Sequence, residues 1–62
     1  MDITPRSKAE GLYNYRYEVQ EKTHSYNWYT VFASDDLESS FNQARFFQDR
    51  RNTEVRIIDN EC

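Results

Sequence analysis

His24 is the only histidine of this 62-residue chain and Cys62 its only cysteine. The two side chains best suited to general-base and nucleophilic work therefore each stand alone. His24 falls in a polar stretch with no nucleophile or orienting carboxylate at a recognisable spacing, so it reads as a solvated loop histidine. Cys62 is the last residue, where a thiol is frayed and incidental rather than catalytic. Asp35 and Asp36 are adjacent carboxylates. Common metal sites need several Cys, His or carboxylate ligands, and this pair is better used at the start of a helix. A single glycine leaves no phosphate-cradling loop, and a chain this short has little room for a concave pocket. The sequence reads as a protein that is not an enzyme and needs no cofactor or metal.

Composition narrows the classes further. Eight basic against eleven acidic side chains leave a net charge of −3, the wrong sign for gripping nucleic-acid phosphates. A lone cysteine cannot form a disulfide within the chain, so a reducing, cytoplasmic setting is expected. No apolar run approaches membrane-spanning length, and no signal-like segment is present. The initiator Met and plain C-terminus suggest a complete gene product. One domain of this size buries only about 60% of its unfolded surface, and its core supplies roughly 3–5 kcal/mol. Aromatics are the unusual feature: five tyrosines, four phenylalanines and one tryptophan. Tyrosine offers contact area with a polar tip, which suits a surface that binds yet stays soluble.

These side chains must be carried by a few short elements. Residues 1–11, with the only proline and the only glycine, read as a mobile N-terminal arm ahead of a single domain over 12–62. "LYNYRYEVQ", 12–20, alternates strictly and predicts a half-buried strand. Tyr13, Tyr15, Tyr17 and Val19 share its inner face; Asn14, Arg16, Glu18 and Gln20 share the outer one. "NWYTVFA", 27–33, is β-branched and aromatic and predicts a second strand. Both of its faces are apolar, and Tyr29, Val31 and Ala33 are slightly preferred inward. "SDDLESSFNQARFFQDRRN" predicts a helix in which Asp35 and Glu38 form a capping box, with Arg50 and Arg51 opposing the dipole at the far end. "TEVRIID", 53–59, predicts the last strand. The resulting β-β-α-β order is an α+β domain: a three-stranded antiparallel sheet, strand order 2-1-3, with the helix on one face and the other face open.

Helix periodicity separates two neighbouring phenylalanines. At about 100° per residue, Leu37, Phe41, Ala44 and Phe47 make one stripe, whereas Phe46 falls roughly opposite Leu37. The expected core is Tyr15, Tyr17, Val19, Val31, Leu37, Phe41, Ala44, Phe47, Val55 and Ile57. Phe46 is either an ordinary surface aromatic or an anchor for a partner. A tyrosine-rich strand also suits base stacking, but inward tyrosines and the acidic balance favour core packing, so no nucleic-acid binding is expected.

The chain resembles the small early proteins of T-odd podophages that inhibit host bacterial RNA polymerase. The likeness lies in "VQEKTHSY", where Val19, four loop residues, His24, Ser25 and an aromatic follow the family's hairpin. It continues in Ala33, then Leu37, Phe41 and Ala44, an aromatic at Phe46, and Glu54–Val55. What the resemblance implies is a β-β-α-β fold and binding to the jaw of the polymerase's largest subunit, which blocks open-complex formation. The family uses an acidic residue after the hairpin valine and arginines on the last strand. Here those places hold Gln20, with Glu21 beside it, and Arg56 alone, one place out of register; Ile58–Asp59 replace the basic continuation.

The expected partner-binding residues are Arg56, Glu21, Glu18, Gln20, Phe46, Arg16 and Ile58. Arg56 suits a bidentate pair with a carboxylate of the partner; Glu18 and Glu21 suit a basic patch. The expected function is inhibition of bacterial RNA polymerase by a monomer or homodimer in the host cytoplasm. Alternatives are binding to another macromolecular target, such as a host nuclease or defence complex, and a homodimeric regulatory protein. A single-stranded nucleic-acid binder is least favoured.

Overall fold

A computed structural model describes residues 3–22, 27–51 and 53–61. His24 and Cys62, and with them most of the hairpin loop in the family resemblance, lie outside the described residues. The elements are β1 (Ile3–Pro5), a short 3-10 turn (Arg6–Lys8), β2 (Tyr17–Lys22), β3 (Trp28–Ser34), α1 (Leu37–Arg51) and β4 (Glu54–Asp59). They form an α+β domain whose sheet runs β1-β4-β2-β3. As expected, β2 is central, antiparallel to both β3 and β4.

The sheet is not three-stranded and antiparallel, however. β1 pairs parallel to β4, with Ile3 opposite Ile57 and Pro5 opposite Asp59, so the sheet is mixed and four-stranded. Three residues with a terminal proline give no alternation to read, so nothing local distinguishes this strand from an arm. Its pairing depends on an unsatisfied edge of β4 that exists only once the sheet has formed.

The helix covers the face carrying Tyr17, Val19, Ile57 and Val55. Tyr17, Val19, Ala44 and Ile57 are buried together, with Val31, Phe32, Leu37, Phe41, Phe47 and Val55 packed against them. Both candidate faces of β3 are used because its pairing with β2 shifts between Val19 and Gln20. Val19 opposes Phe32 and Gln20 opposes Thr30, so Val31 is the extra residue of a β-bulge. Val31 and its neighbour Phe32 thereby both reach the core. Ala33, expected inward, pairs instead with Glu18, and Tyr29 is half exposed.

Tyr15 is a further departure. β2 begins at Tyr17, and Tyr13 and Tyr15 are half exposed rather than core. The backbone before Tyr17 is held mainly by side chains, apart from Arg16 C=O, which accepts from Asn60 N–H at 2.7 Å. Tyr13 N–H donates to Glu18 Oε2 at 3.0 Å, and Tyr15 C=O accepts from Asn60 Nδ2 at 2.7 Å. Tyr13 sits at φ 60°, a left-handed conformation that breaks any alternation and is uncommon for a bulky residue.

The helix starts one residue later than the capping box predicts. Asp36, not Asp35, caps it: Oδ2 accepts from Ser39 N–H at 3.1 Å and from Ser39 Oγ at 2.6 Å. These bonds hold its carboxyl below the usual carboxylate range. Asp35 instead accepts Arg16 N–H at 2.9 Å.

Candidate functional site

The helix-free face of the sheet carries Glu18, Gln20, Thr30, Arg56 and Ile58, and it is not open. Residues 9–16 cross it. Gln20 Nε2 donates to Glu10 C=O at 2.8 Å and to Thr30 Oγ1 at 3.2 Å. Glu18 Oε1 accepts from Thr30 Oγ1 at 2.8 Å and Oε2 from Asn60 Nδ2 at 2.6 Å. Gly11 lies so close that a Cβ there would overlap Glu18 Oε2 and sit 2.7 Å from Asn60 Oδ1. The only glycine of the chain is thus required by close approach, at a negative φ. Burial raises the pKa of Glu18, but hydrogen bonds from the Leu12 and Tyr13 backbone and from Asn60 and Thr30 outweigh it. The net shift is downward, so a carboxylate with no cation beside it among the described residues stays ionised.

Burial changes the standing of four expected contact residues, three of them under this cover and one beneath the helix. Ile58 and Glu18 are fully buried, and Gln20 nearly so. Glu21 lies on the helix side, buried, with Oε1 3.0 Å from Arg51 Nη1 and Oε2 accepting from Thr53 Oγ1 at 3.0 Å. None of these four presents a free side chain to a partner. Strand alternation placed Glu18, Gln20 and Ile58 correctly on the helix-free face; what it could not supply was the covering segment. Arg16 is half exposed but held by Asp59 and Glu61, at 3.4 Å and 3.2 Å.

Phe46 and Arg56 remain accessible, on different parts of the surface. Phe46 is 49% exposed, with the Arg50 guanidinium 5.4 Å from its ring centre and Phe47 edge-on at 5.6 Å. The helix phase is therefore as expected: Phe47 inward, Phe46 outward.

Arg56 is the better-built feature. Its Nε donates to Gln20 Oε1 at 2.9 Å, and its guanidinium lies over Trp28, 4.1 Å from the ring centre. Burial lowers its pKa, and among the described residues no carboxylate lies within ion-pair distance of it. It lines an open groove of about 740 Å³ between the 3-10 turn and the Trp28 end of the sheet. Arg6, Lys8, Tyr13 and Tyr29 line the same groove. Sequence reasoning missed Arg6, Lys8 and Trp28 because it assigned the first two to a mobile arm and left the third undecided between faces.

Among the described residues no cluster of His, Cys, Asp and Glu could hold a metal ion. Nor is any helix among them long and apolar enough to cross a membrane. No family model matches the chain, and comparisons with curated proteins and with solved structures gave no match. The groove therefore stands on its own chemistry. It presents cations and half-exposed aromatic rings beside one carboxylate, Glu10, an arrangement that suits binding.

Proposed function

We propose that the chain is a non-enzymatic protein-binding inhibitor acting in the bacterial cytoplasm, with RNA polymerase as its target. The observation that carries the binding reading is Arg56. Its guanidinium is oriented by Gln20 and Trp28 while lacking a carboxylate among the described residues. An oriented arginine fork is a ready partner for a carboxylate of another protein. The choice of polymerase rests on the hairpin and helix resemblance, including the outward aromatic Phe46. Buried Glu18, Gln20 and Glu21 move the contact away from the hairpin acids and onto Arg56 and its groove.

The test is open-complex formation by purified bacterial holoenzyme. Wild type is expected to repress it. Arg56→Lys, which keeps the charge over Trp28 but loses the fork, is expected to weaken repression while leaving the circular dichroism spectrum unchanged. Absence of both repression and polymerase binding by the wild type overturns the target and leaves a binding protein for another macromolecule.

A further inference from the structure

Basic side chains are unevenly committed in this acidic protein. Arg16, Lys22 and Arg51 each reach a carboxylate. Arg6, Lys8 and Arg56 have none among the described residues, and all three line one groove. Arg45 and Arg50 also lack one among the described residues, but they are carried by the helix and do not line the groove. Three basic side chains against one acidic, Glu10, line this concavity on a chain of net charge −3, and that local excess selects for an anionic group.

The aromatic rings decide which kind of anion. Trp28 carries Arg56 at 4.1 Å and Lys22 at 5.8 Å from its ring centre, and Tyr13 carries Arg6 at 5.2 Å. Two of the groove's rings thus already hold cations over their π-faces, where a stacking platform would need them free for bases. Cation–π contact also orients a guanidinium without consuming its N–H donors. Glu10, on the groove wall, opposes a continuous phosphate backbone but is readily passed by separated carboxylates. Nε of Arg56 is taken by Gln20, which points the planar fork and leaves its terminal nitrogens for bidentate pairing.

Resting on the reading of the chain as a protein-binding inhibitor, we propose that this groove is a docking site for an extended acidic segment of the partner. Arg6 and Lys8 engage it from the N-terminal turn and Arg56 from the sheet. The N-terminal segment is then half of the binding site, not an appendage to it. The groove volume of about 740 Å³ lies within the range of roughly 300–1,000 Å³ usual for ligand clefts.

Trp28 is the only tryptophan and lines the groove, so intrinsic fluorescence reports directly on occupancy. The full chain is titrated with a capped peptide of alternating glutamate and serine, with its lysine–serine counterpart and with oligodeoxythymidine. The acidic peptide is expected to change Trp28 emission saturably, with an affinity that falls as salt rises. The lysine peptide is expected to do nothing. The double variant Arg6→Ser/Lys8→Ser, which alters only exposed side chains, is expected to weaken peptide binding about fivefold or more with an unchanged circular dichroism spectrum. Tighter binding of oligodeoxythymidine, no saturable response to the acidic peptide, or wild-type affinity in the double variant overturns the proposal. Peptide binding without polymerase repression overturns only the choice of target. Repression that survives in the double variant, with no peptide binding by either protein, overturns only the groove.

Discussion

Glu18 and Gly11 are coupled, and the coupling explains why a chain with one glycine spends it at this position. Glu18 is buried with no cation beside it among the described residues and is satisfied by donors from Leu12, Tyr13, Thr30 and Asn60. Two of those donors are backbone groups that reach the carboxylate only because Gly11 has no Cβ to collide with it. Gly11→Ala is therefore expected to push the segment off the sheet and break at least one buried bond, at a cost of about 1–3 kcal/mol. Urea denaturation of the variant measures it; an unchanged midpoint means that Glu18 moves aside freely.

Among the elements, α1 divides its aromatic residues cleanly. Phe47 packs on the core and Phe46 is half exposed. Phe47→Ala is expected to cost roughly 3–5 kcal/mol, comparable with the whole stability of so small a domain, and to abolish the cooperative thermal transition. Phe46→Ala is expected to leave the transition within about 0.5 kcal/mol of wild type, as for surface changes generally. If Phe46→Ala also loses activity while remaining folded, the outward ring is a partner anchor. The N-terminal segment is the second element with a testable role. Truncating residues 1–11 removes β1 and the Glu10 and Gly11 backbone that lie over the helix-free face. Losing the β1–β4 pairing and the bond from Gln20 to Glu10 C=O is expected to destabilise the truncated chain, read as a lower melting temperature by circular dichroism.

At the scale of the whole molecule, acid should loosen the fold. Glu18 and Asp36 both have folded-state pKa values below their ordinary ones. A depressed carboxyl stabilises the fold fully above its unfolded pKa, and that stability is lost as pH falls through the folded value. Melting temperature is expected to hold across neutral pH and to fall through and below the usual carboxylate range. Glu18→Gln, already neutral, is expected to start from a lower melting temperature and to show a shallower acid limb. Equal acid limbs would mean that the crossing segment does not depend on the Glu18 charge.

What the amino-acid order settled by itself was the part of local period that no bulge or left-handed residue interrupts. Alternation in Val19–Gln20 and Val55–Ile58 sorted the faces of β2 and β4, and the 3.6-residue stripe separated Phe47 from Phe46, because each signal repeats within one element. The α+β class and the central place of β2 follow from those signals and the rules of strand connection. Tertiary structure alone decided the rest. β1 forms because β4 has a free edge, and the bulge at Val31 forms because both sides of that strand are apolar and two residues can then reach one core. Tyr15 leaves the core, and Glu18, Gln20 and Ile58 enter the interior, because residues 9–16 fold back over the sheet. That return is driven by hydrogen bonds between backbone groups and side chains distant in the chain, such as Asn60 to Tyr15. Such bonds leave no periodic trace in sequence, and so the groove they create between Arg6 and Arg56 becomes visible only in three dimensions.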